Sequence, residues 1–137
     1  MKKILITRRL LKESEEKASK IFDVKLNNND ELYSQSKLIE LSKGHDAILT
    51  SLTDKMDEQT INKLPESIKI ISNFAVGFGN IDLDAAKKRG IIVTNTPEVL
   101  SDATAEIGIL LILGACRRAS EGIQSAKESS WKWSADF

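Results

Sequence analysis

"IKIISNFAVGFGNIDLDAAKKRGIIVTNT", residues 68–96, reads as strand, glycine turn, helix and strand in that order. The runs at 68–74 and 91–96 are apolar along their length and rich in isoleucine and valine. The charged stretch 82–89 between them is made of helix-compatible residues. Asp82 stands where a helix N-cap belongs, and Gly90 suits the left-handed residue that follows a helix. Strands without alternation, joined through a helix, predict parallel neighbours buried on both faces.

The same grammar extends toward the N-terminus. Further strand-like runs lie at 2–7 ("KKILIT"), 22–26 ("FDVKL") and 46–51 ("DAILTS"). Amphipathic stretches at 11–20, 31–43 and 57–64 separate them, the last with Asp57 as a candidate cap and Pro65 beyond its end. Five strands alternating with helices predict an α/β fold of the flavodoxin-like type. Its sheet is five-stranded and parallel, with helices on both faces and right-handed crossovers. The order of the strands is not legible at this level.

From Leu100 to about Ser129 the pattern changes. No proline interrupts "LSDATAEIGILLILGACRRASEGIQSAKES", which predicts one long helix with Ser101 as its cap. Residues 107–116 are all apolar or glycine. A helix apolar all round has to be covered on all sides, so this one is expected to bridge to a second body, another domain or another chain. Cys116, the single cysteine, reads as a small buried hydrophobe without a disulfide partner. The organisation expected is a domain over 1–98 and a bridging segment over 99–137.

Composition narrows the function classes. The 137 residues are 41% hydrophobic and 29% charged, with a formal net charge of zero. That is an ordinary globular balance with no electrostatic pull toward nucleic acid or an anionic membrane surface. The apolar run in "MKKILITRRLL" is too short for a secretory signal, and "IGILLILGAC" is too short to span a bilayer. The cytoplasm is therefore the expected location, with neither nucleic acid nor membrane as a partner. Arg117, Arg118 and His45 read as ordinary surface residues, and no metal-ligating cluster stands out.

"VGFGNID" poses the chemical question. A dinucleotide loop wants its glycines after the first strand, yet that strand is followed by "TRRLLKES". A phospho-acceptor receiver would need an aspartate at the end of the third strand, where "ILTSL" stands instead. The glycine pair follows the fourth strand, at the carboxyl edge where ligands of such sheets collect. Successive turn amides there could converge on an oxygen anion, or the glycines could serve only a tight turn.

Several linked motifs tie the chain to a family. "AVGFGNID", "KKRGIIVTNTP", "VLSDATAE" and "CRR", with "LTSLTDKMD" before them, resemble the N-terminal part of the D-isomer-specific 2-hydroxyacid dehydrogenases. The likeness is strongest to the glyoxylate/hydroxypyruvate reductase branch and runs from about Lys2 to Trp133. It implies the substrate (catalytic) domain of an enzyme that moves hydride between NADH or NADPH and a small 2-keto or 2-hydroxy acid. The resemblance places the substrate carboxylate on the backbone amides of Val76 and Gly77, with Leu52 as a pocket wall. It places Val76 and Thr104 near the cofactor, and a homodimer is expected. The cofactor fingerprint and the catalytic arginine, glutamate and histidine fall downstream, so no catalytic residue is expected in this chain and the chain alone is expected to be inactive. The competing expectation is a free-standing binding or assembly module that pairs through its apolar helix.

Overall fold

The computed structural model describes residues 1–129. The chain forms two compact units, Met1–Val99 and Leu100–Phe137.

In the first unit the strands are β1 (Lys3–Ile6), β2 (Asp23–Lys25), β3 (Ala47–Ser51), β4 (Ile70–Phe74) and β5 (Ile92–Thr94). All neighbours pair in parallel, in the order β2-β1-β3-β4-β5. Four helices alternate with them: α1 (Lys12–Ile21), α2 (Gln35–Leu41), α3 (Glu58–Lys63) and α4 (Leu83–Lys88). The chain steps one way across the sheet from β1 to β2 and the opposite way thereafter. With right-handed crossovers, that reversal puts α1 on one face and α2, α3 and α4 on the other. The five-stranded parallel sheet read from the sequence is therefore the one present, and its order is the detail the structure adds.

The core sits under the three-helix face. Ile48 and Ile71 point from the central strands into Leu38, Ile61, Leu64, Ala85 and Ala86, with Met56, Ile68, Ile81 and Ile91 filling between. Burying each such isoleucine or leucine fully contributes roughly 1.5–3 kcal/mol. The opposite face is less well covered. Ile4, Ala47, Leu49 and Ile70 line an apolar groove of about 500 Å³ together with Phe22, and Ile92 is 60% exposed.

The caps follow the sequence. Asp57 accepts from the Thr60 N–H at 3.0 Å and Asp82 from the Ala85 N–H at 2.9 Å, closing the N-termini of α3 and α4. Gly90 has φ +64°, where a side chain would be strained. The backbone N–H of Thr60, followed by its hydroxyl and the Gln35 amide, holds the Asp57 carboxyl well below the usual carboxylate range.

The second unit corrects two expectations. The single helix expected over 100–129 is two, α5 (Ser101–Cys116) and α6 (Ala119–Lys127). The break falls at Arg118, which adopts φ +51° without being glycine. Arg118 stays there with its guanidinium on Glu121 in the first turn of α6, and its carbonyl accepts from the Gly122 N–H at 3.1 Å. Ser101 is not the cap: Leu100 occupies that position, without a side-chain capping bond. Cys116, read as buried, is exposed, because the apolar helix carrying it is itself exposed. Ile107, Ile109, Leu110, Leu111, Ile112 and Leu113 are all between 55% and 66% exposed. No helix among the described residues is long and apolar enough to cross a membrane.

Candidate functional site

At the carboxyl ends of β1, β3 and β4 the buried side chains turn polar: Thr7, Thr50, Asp54 and Asn73 are each no more than 1% exposed. Polar groups withdrawn from water this far need partners, and here they organise the loops. Asp54 accepts from the Thr7 hydroxyl at 2.6 Å and the Ser51 N–H at 2.9 Å, which folds the loop after β3 back on itself. Its second oxygen, Oδ1, is buried with no partner among the described residues. Beside this loop the Arg8 guanidinium grips Asp30 through Nε and Nη2, both at 2.8 Å, and reaches the Thr53 hydroxyl at 2.6 Å. That grip, with the Arg9 N–H, holds the Asp30 carboxyl well below its ordinary range. Arg8 is thus committed to the fold and is not a spare cation for a ligand.

The glycine turn, residues 75–80, leaves β4 next to this loop. β3 and β4 pair up to Ser51 opposite Phe74, so Leu52 and the turn start from adjacent strand ends. Asn80 binds them together. Its amide nitrogen donates to the Ser51 carbonyl at 3.0 Å and the Asp54 carbonyl at 3.2 Å. Asn73, inside β4, donates to the Gly77 carbonyl at 2.9 Å and the Asn80 side-chain oxygen at 3.1 Å. From the end of β5, Asn95 donates to the Val76 carbonyl at 2.8 Å, and the Thr96 N–H to the Ala75 carbonyl at 2.9 Å.

Three consecutive carbonyls, of Ala75, Val76 and Gly77, are therefore held by the protein. Every peptide bond of the turn is trans, so the N–H of each peptide plane points opposite to its carbonyl. The matching amides, those of Val76, Gly77 and Phe78, donate to no group among the described residues. Gly77 is exposed, Val76 half-buried and Leu52 60% exposed. Successive unpaired amides at the edge of a sheet are suited to an oxygen anion, which each N–H meets with a charge-assisted hydrogen bond.

The glycines themselves are informative. Neither Gly77 nor Gly79 has a positive φ, and an added Cβ would meet nothing within 4 Å at either position. Neither backbone conformation nor packing within the described residues demands glycine there.

Other candidate residues are placed less suggestively. Thr104 lies in the second unit, exposed, with its hydroxyl donating to the Leu100 carbonyl at 2.9 Å. His45 is half-buried, its Nδ1 3.2 Å from the Lys43 carbonyl oxygen, with no acidic partner among the described residues. Among the described residues no three ligating side chains gather to hold a metal. Neither the loop after β1 nor the glycine turn, both at this edge of the sheet, is built to cradle a dinucleotide. The loop after β1 has no glycine and its Arg8 is engaged, while the glycine turn presents amides enough for a small anion only.

The three asparagines were missed in the sequence. Their signal was present: Asn73 interrupts an apolar strand, where asparagine is disfavoured, and Asn80 and Asn95 flank the same turn and strand end.

The family described as D-isomer specific 2-hydroxyacid dehydrogenase, catalytic domain, matches residues 4–130. Glycerate dehydrogenase of Hyphomicrobium methylovorum is 43% identical over 130 residues, covering 95% of this chain and 40% of that protein. Glyoxylate reductase of Thermococcus litoralis is 37% identical over 130 residues, covering 95% and 39%. The crystal structure of a glyoxylate reductase from Paecilomyes thermophila superposes with a TM-score of 0.82 at 29% identity, over 95% of this chain and 42% of that one. The chain thus spans about two-fifths of the length of the relatives it matches.

Proposed function

The chain belongs to the D-isomer-specific 2-hydroxyacid dehydrogenase family, and on that premise we propose that it is the substrate-binding part of a reductase for a small 2-keto acid such as glyoxylate or hydroxypyruvate. The Val76 and Gly77 amides seat the substrate carboxylate, and Leu52 walls the far end of the acid. Val76 faces the cofactor, NAD or NADP. The assembled enzyme is a cytoplasmic homodimer. The observation that carries this reading is the run of three clamped carbonyls opposite three amides without a partner among the described residues.

The seat does one part of the reaction. Hydrogen bonds from fixed amides orient the acid so that its C2 is presented to a hydride, a contribution of positioning. Charge developing on the keto oxygen needs a cation and a general acid, and none of the described residues at the turn is either. Hence the chain is expected to bind and orient the acid but not to reduce it.

Amide NMR on the 137-residue chain tests the seat. Glyoxylate should shift the Val76, Gly77 and Phe78 amide resonances saturably, while the neutral compound glyoxylamide leaves them in place. Shifts absent at the turn, or equal for the two compounds, would refute it.

A second reading rests on the exposed apolar side chains of α5. In it the chain is an assembly module whose helix is covered by a second copy. Light scattering tests this second reading: a dimer at micromolar concentration that dissociates on Leu110→Glu supports the module, and a monomer rejects it.

A further inference from the structure

Resting on the carboxylate seat proposed above, we infer that Asn95 is its positioning residue: by holding the Val76 carbonyl, its side chain turns the Gly77 N–H toward the ligand.

The argument is one of peptide geometry. The Val76 carbonyl and the Gly77 N–H belong to a single trans plane, so whatever fixes one fixes the other in the opposite direction. Asn95 Nδ2 lies 2.8 Å from that carbonyl oxygen. The neighbouring Thr96 N–H holds the Ala75 carbonyl at 2.9 Å, which sets the Val76 N–H in the same way. The two residues that follow β5 therefore aim both amides of the seat from nineteen or more positions away in sequence. A turn containing two glycines would otherwise sample several orientations, and each would scatter the donors. Anion binding by amides depends on their converging beforehand, because ordering them on binding costs affinity.

Asn95 can be separated from the general stability of the fold. It is half-buried, not part of the apolar core, and the bond to Val76 is its one side-chain hydrogen bond among the described residues. Asn73 also clamps the turn but is 1% exposed and tied to Asn80, so its removal would disturb the loop after β3 as well.

The test compares the full 137-residue chain as wild type, Asn95→Ala and Asn95→Asp by amide NMR, each with and without glyoxylate. At neutral pH both variants should move the Gly77 resonance and bind glyoxylate about tenfold more weakly, the order expected for misaiming one hydrogen bond to a charged acceptor. The Ile48 and Ile71 amides should stay where they are. Lowering the pH protonates the introduced carboxyl, which then has an O–H to donate to the Val76 carbonyl. In Asn95→Asp the Gly77 resonance should return toward its wild-type position, with a midpoint above the ordinary aspartate value of about 3.9. Asn95→Ala should show no return. A purely structural role for Asn95 gives no such pH profile. A Gly77 resonance unmoved by either variant, or a missing return, overturns the assignment. A wild-type Gly77 amide that ignores glyoxylate is a different failure: it sinks the seat, while the pH return still decides whether Asn95 aims that amide.

Discussion

Replacing Ile71 by alanine is expected to destabilise the first unit by about 4 kcal/mol, the upper part of the range for a fully buried isoleucine. Ile71 is 0% exposed, on the interior strand β4, with Ile48 beside it and α2, α3 and α4 packed above. A cavity there opens beneath three helices at once, so collapse around it is resisted. Since small domains are stable by only about 5–15 kcal/mol, the loss should be visible as a large drop in the urea midpoint with an unchanged slope. Ile70 supplies the control. It is one residue away but on the opposite face, 39% exposed beside the apolar groove. Ile70→Ala should cost less than about 1 kcal/mol. Equal costs for the two would show that the groove face is covered in solution, contrary to the packing described.

The second large effect concerns Gly77 and should appear in binding, not in stability. Because its φ is not positive and a Cβ would meet nothing within 4 Å, Gly77→Ala should unfold within about 0.5 kcal/mol of wild type. The added methyl stands beside the N–H, in the space an acid needs to reach two adjacent amides. Glyoxylate affinity should fall by about tenfold or more, equivalent to losing one hydrogen bond to a charged group. Calorimetry for the ligand and urea melts for the fold read the two quantities separately. Unchanged affinity would mean that the glycine serves something other than the approach of a ligand.

Much of the fold was legible because the deciding signals are local. Asp57, Asp82 and Gly90 act within three or four residues of where they stand, and strands apolar along their length announce a covered parallel sheet. The break at Arg118 was not legible, since neither proline nor glycine marks it. It is an arginine in a conformation that its type disfavours. Exposure of Cys116 was missed for a related reason: hydrophobicity states what a helix wants covered, not whether a given chain supplies the cover. At the candidate site the position of the turn could be read from its glycines and its place after β4. The clamps could not, because Asn95 meets Val76 only once β4 and β5 lie side by side.

The sheet is bounded on each side by a strand of three residues, β2 and β5. A rim that short offers an incoming polypeptide few free backbone groups, which is one way proteins discourage cross-β growth. Growth by adding strand upon strand is therefore disfavoured at both rims of this sheet.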